Sequence, residues 1–93
     1  MAVGLLVVEL HIPQSGSLKE KRRVIKSLKE RVKNRFNVSV AEVGELDFWQ
    51  KAVLGIACVA NEAGFVNEVL DRVMDFIRRD AQVEVVHHQL QMV

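Results

Sequence analysis

Nine lysines and arginines fall between Lys19 and Arg35 against two acids, Glu20 and Glu30, a surplus of seven in a chain whose net charge is only +1. The remainder of the protein is therefore acidic. Segregated cations are the chemistry of phosphate recognition, because each ammonium or guanidinium can neutralise one backbone phosphate and release its counterion. On a helix advancing about 100° per residue, Lys19, Arg22, Arg23, Lys26, Lys29 and Lys33 project within an arc of roughly 120°. Lys21 joins these six as a candidate nucleic-acid contact. A helix made basic only for solubility interleaves acids three or four residues away, and here only Glu20 with Arg23, and Glu30 with Lys26 or Lys33, have that spacing.

The start of the same segment is electrostatically unusual. Lys19, Lys21 and Arg22 crowd its first turn, where the helix dipole disfavours cations by about 0.3–1 kcal/mol each. An anion docked at the amino end, held by exposed amides and these three side chains, would remove the conflict. The second helical segment follows the dipole rule, with Glu62 and Glu68 early and Arg78 and Arg79 at its end.

Other chemistries are thinly represented. Glu9 and His11 share one strand face and His87 and His88 point to opposite faces, with no clustered ligand spacing, so no metal site is expected. Ser15 and Ser17 lack an evident base, and Cys58 lacks a histidine partner. The expectation is a protein that is not an enzyme and takes no cofactor. Cys58 cannot pair internally and lies in an apolar run, where a thiol serves as a small hydrophobe. Without a secretory leader pattern or an apolar run of roughly 18 residues, the chain reads as cytoplasmic.

The elements that must position the basic segment follow from periodicity. The 93 residues suit one domain, 1–93, with a single core. Residues 3–12 form an apolar, β-branched run closed by Pro13, which predicts a strand and a turn. Ser17 with Glu20 three residues on is a capping box, and Leu18, Ile25, Leu28, Val32 and Phe36 then recur at helical spacing. Strands are expected at 37–43, 51–60 and 82–93. A second helix, capped by Asn61, carries Val66, Val69, Leu70, Val73, Phe76 and Ile77 on its apolar stripe.

That order predicts an α+β fold of ferredoxin-like βαββαβ type, a four-stranded antiparallel sheet with both helices on one face. Strands covered on one side should alternate apolar with polar, yet Val3, Leu5 and Val7 are interleaved with Leu6, Val8 and Leu10. The uncovered face is expected to pack against a second copy, giving a homodimer. The RNA-recognition-motif domain shares this topology but stacks bases on aromatics of its two central strands, and here those strands contain none. Nucleic-acid contact is therefore expected on the first helix, and an interaction module built on the sheet face is the alternative.

Ser17-Leu18-Lys19-Glu20-Lys21-Arg22, residues 35–43 (Arg-Phe-Asn-Val-Ser-Val-Ala-Glu-Val), Trp49-Gln50 and Leu54-Gly55-Ile56 closely resemble the YlxP-like family of small bacterial proteins, a family of unknown function. The likeness spans essentially the whole chain. It implies a ferredoxin-like fold, and genes that often neighbour those for transcription antitermination, translation initiation and ribosome maturation imply an RNA or ribosomal partner by association. After Val43, where members of the family carry a polar cluster before an Asp, this chain reads Gly44-Glu45-Leu46-Asp47, so that only Asp47 and Gln50 keep the pattern. Phe48 and Trp49 are the candidate partner-binding residues. Aromatics at such a place are expected to pack the loop on the core; facing solvent, they would stack a base or hold a partner.

Overall fold

The computed structural model describes all residues, Met1–Val93. Six elements follow in the predicted order: β1 (Ala2–His11), α1 (Leu18–Arg35), β2 (Ser39–Gly44), β3 (Lys51–Ala60), α2 (Ala63–Arg78) and β4 (Glu84–Met92). The sheet runs β2-β3-β1-β4 with every neighbouring pair antiparallel. This is the ferredoxin-like α+β arrangement.

β1 and β3 form the centre, paired without interruption from Ala2↔Ala60 to His11↔Lys51. One parity of each strand is buried: Leu6, Val8 and Leu10 from β1, and Ala52, Leu54, Ile56 and Cys58 from β3. Those side chains meet Ile25, Leu28 and Val32 of α1 and Val66, Leu70, Val73, Met74 and Ile77 of α2, so the core is one layer between sheet and helices. The other parity receives no cover from the chain. Val3, Leu5, Val7, Val53 and Ala57 are half-buried by their neighbours along the sheet, and Val59 is exposed.

Local chemistry sets the element ends. Ser17 is extended and its Oγ accepts from the Glu20 amide at 3.1 Å, while the Glu20 carboxylate accepts from the Gly16 amide at 2.7 Å, one residue ahead of the cap. α2 is capped differently from expectation. Glu62, not Asn61, occupies its cap position and makes no side-chain cap bond. β2 begins two residues later than its sequence pattern suggests and contains a bulge between Glu42 and Gly44; the β1–β4 pairing shifts between Glu9 and Leu10. Alternation alone does not specify such irregularities.

Gly4 shares the buried parity of β1 and lets α2 approach the strand closely. A Cβ placed there would lie 2.5 Å from Val66 Cγ1 and 2.9 Å from Leu70 Cδ1, both in the core. Gly4→Ala is expected to destabilise the fold by about 1–3 kcal/mol in urea denaturation, the usual range for overpacking. Gly64→Ala, where nothing lies within 4 Å of the added Cβ, should be neutral or stabilising by up to about 1 kcal/mol. Equal stability of the Gly4 variant and wild type would show that α2 slides without cost.

Candidate nucleic-acid interface

α1 presents its core stripe to the sheet and turns the opposite side to water. Lys19, Arg22, Arg23, Lys26 and Lys33 are exposed and Lys29 is half-buried at the margin. None of the six is in an ion pair, since the four pairs of the molecule are His11–Glu84, Lys21–Glu42, Arg31–Asp80 and Arg72–Glu68. The ridge is thus assembled and uncompensated. Two further arginines of α1 are engaged elsewhere: Arg31 Nη2 donates to Asp80 Oδ2 at 2.6 Å, and the Arg35 guanidinium lies 5.5 Å from the Phe76 ring centroid. Glu30, exposed and unpaired, is the one carboxylate within the ridge's arc.

Lys21 does not belong to this surface, which corrects the sequence expectation. Its side chain is 0% exposed, the largest fully buried one in the molecule. The cause is position: Lys21, Ile25, Leu28 and Val32 are spaced four, three and four apart, so all four fall on the buried stripe. Its Nζ donates to Glu42 Oε2 at 2.9 Å and to three main-chain carbonyls, Glu45 at 2.9 Å, Leu46 at 3.2 Å and Lys51 at 3.2 Å. The ammonium offers three protons to four oxygens and is fully satisfied. Glu42 reaches it because residue 42 shares the helix-facing parity of Val40 in β2, and its side chain is only 14% exposed.

An anion seated on the first turn of α1 would therefore lack Lys21. Two of the donors there are also occupied, the Glu20 amide by Ser17 and the Gly16 amide by Glu20. What remains for a polyanion is the lateral ridge, not the helix end.

Lys21 instead organises the connection between β2 and β3. Residues 45–50 are held by its bonds to the Glu45 and Leu46 carbonyls and to that of Lys51 just beyond, by Gln50 Nε2 donating to Ser15 O at 3.1 Å and Pro13 O at 3.3 Å, and by the Ile12 amide donating to Gln50 O at 2.8 Å. Glu45 takes a left-handed conformation, φ 58°, as the chain leaves the strand. The aromatics do not anchor this loop on the core. Phe48 is 53% and Trp49 57% exposed, with Leu46 beside them at 52%. The fastening that sequence reasoning assigned to aromatic packing is done by polar groups, above all Lys21 and Gln50.

The remaining reactive groups have structural duties. Ser15 Oγ donates to Ser17 O at 2.9 Å, and burial pushes the Cys58 thiol up from its ordinary pKa, which disfavours thiolate. His11 Nδ1 lies 3.4 Å from Glu84 Oε2 at an exposed corner, and nowhere do three or more His, Cys, Asp or Glu side chains gather. No helix is long and apolar enough to cross a membrane.

A family model described as a protein of unknown function, DUF503, matches residues 3–90. The chain belongs to that family. It is 42% identical over 82 residues to the uncharacterized protein YlxP of Bacillus subtilis (strain 168), covering 88% of this chain and 89% of that one. Among solved structures, the de novo designed protein Foldit4 covers the whole chain and 97% of its own with a TM-score of 0.55 at 17% identity, a likeness of fold alone. Of the loop positions that keep the family pattern, Gln50 is spent on backbone carbonyls while Asp47 is exposed.

Replacing Lys21 by Met preserves much of its length but leaves Glu42 and three carbonyls without their shared donor. The loss expected on chemical denaturation is about 3–5 kcal/mol, the range for breaking a buried pair from one side. Amide exchange of residues 45–51 should accelerate in the same variant. Lys26→Met on the ridge should change stability by less than about 0.5 kcal/mol; similar losses from both would mean the burial of Lys21 has no energetic consequence.

Proposed function

We propose that this protein is a non-catalytic accessory factor that binds the phosphate backbone of RNA, free or in a ribosomal particle, through the outer face of α1. The observation that carries the reading is a row of six cations, Lys19, Arg22, Arg23, Lys26, Lys29 and Lys33, none neutralised within its own chain. Ordinary surface charges are interleaved with partners; a one-sided row repels itself and gains free energy when a polyanion displaces its counterions. The gene neighbourhood implied by the family resemblance supports the same partner by association. Because the ridge touches phosphate and not base edges, binding is insensitive to sequence.

Salt dependence tests it directly. Wild-type affinity for RNA should fall steeply with ionic strength, and neutralising Lys19, Arg22, Arg23 and Lys26 together should flatten the log–log slope by about 3. An unchanged slope in that variant would remove the ridge from the interaction.

A second reading rests on the outer face of the sheet. Val3, Leu5, Val7, Val53 and Ala57 form a continuous apolar surface that neither helix covers, and a second copy of the same face would shield it from water. It is compatible with the first, since the two surfaces lie on opposite sides of the molecule. Sedimentation is expected to show a dimer that Val7→Lys converts to monomer; a monomeric wild type at high concentration would eliminate this arrangement.

A further inference from the structure

Residues 45–50 combine two properties that seldom occur together. Their first two carbonyls accept from Lys21 of α1, and Gln50 at the far end is bonded through its side chain to Pro13 and Ser15 and through its carbonyl to the Ile12 amide, yet Phe48 and Trp49 stand more than half exposed. A loop that hides its aromatics needs no such fastening, and a loose loop that exposes them must lose conformational entropy when it binds. Here both ends of the loop are already fastened before any partner arrives.

We infer that this loop is a stacking platform for an unpaired nucleobase, so that the RNA bound along α1 is single-stranded, bulged or looped where it passes residues 48 and 49. The inference rests on the phosphate-binding reading of the ridge and extends it from backbone to base. Lys21 donates to the Glu45 and Leu46 carbonyls from the same helical turn that carries Lys19 and Arg22, so the loop is fastened to the turn at which the ridge begins. Lys51, the first residue of β3, adds a cation beside the loop, its Nζ 5.4 Å from the Phe48 ring centroid, and it is in no ion pair.

Carboxylates divide the labour. Glu45 and Asp47 are exposed on the loop and repel phosphate from it, which leaves the backbone on the helix and admits only the neutral, flat part of a nucleotide to Phe48 and Trp49. An aromatic face next to cations suits a base attached to a phosphate chain, because every base offers a π-surface and the stacking needs no hydrogen-bond code. The central strands lack aromatics, so on this reading stacking falls to the loop.

Trp49 is the one tryptophan and the chain has no tyrosine, so its emission reports the platform alone. Wild-type protein should be titrated with a short single-stranded oligoadenylate, with an RNA duplex of equal length, and with an uncharged apolar peptide. The single strand is expected to quench Trp49, the duplex to bind with the ridge's salt dependence but without quenching, and the peptide to do neither. Trp49→Ala should weaken single-strand binding about tenfold with an unchanged salt slope, and Trp49→Phe should recover most of the loss. Because the side chain is exposed, neither substitution threatens the fold.

Salt-dependent binding of both RNAs without quenching, and without loss in Trp49→Ala, overturns the platform and leaves the ridge standing. Quenching by the peptide alone overturns it in favour of a protein-docking loop. Failure of every RNA to bind at low salt removes the ridge reading and this inference with it.

Discussion

The ammonium of Lys21 is the constraint on which the rest of the architecture depends. A lysine inside a protein is tolerated only when its charge is paired and its protons are all accepted, and here a carboxylate from β2 and three carbonyls around the β2–β3 connection do both. That requirement fixes the rotation of α1 about its own axis. With Lys21, Ile25, Leu28 and Val32 directed at the sheet, Lys19, Arg22, Arg23 and Lys26 have no direction left but outward. The same bonds fix the loop that carries Phe48 and Trp49. One buried cation thus sets both the ridge and the aromatic pair.

Apolar residues in place of both Lys21 and Glu42 could fill the same space, and buried ion pairs often confer no net stability over such a double replacement. What an apolar side chain cannot do is satisfy the Glu45, Leu46 and Lys51 carbonyls, which turn toward the helix. The gain is therefore in specificity: the connection has one conformation, and Gln50 secures its far end to Pro13 and Ser15. The opposite sheet face shows the contrasting principle. Val3, Leu5 and Val7 have no directional partner at all, so whatever covers them is selected by shape and apolarity alone.

The order of elements, the core and the ridge were legible in the sequence because each rests on periodicity. Leu6, Val8 and Leu10 report a buried strand face, and Ile25, Leu28 and Val32 a helix stripe, through spacing that survives any detail of packing. Lys21 was misread because residue type was given precedence over position. Its place four residues before Ile25 put it on the stripe, and an acid at the inward parity of β2, Glu42, was the available partner. The exposure of Phe48 and Trp49 was not legible, since no period governs a six-residue loop and its direction is set by contacts from distant chain segments. Bulges at Glu42 and Glu9 and the cap of α2 were lost for a related reason: each is a local compromise between two strands or two elements, not a property of one segment.

Charge segregation completes the argument. Ten of the twelve acids lie outside α1, and several of them, Glu62, Glu68, Asp71 and Asp75, belong to α2 or its start. A chain with net charge near zero has little long-range attraction for a polyanion, so a uniform distribution of the same residues would bind RNA poorly. Both helices pack on one face of the sheet, so the acids of α2 lie in the same layer as the ridge, beside it and not behind it. On the proposed reading, a polyanion that meets α1 face-on encounters six cations and a single carboxylate, Glu30.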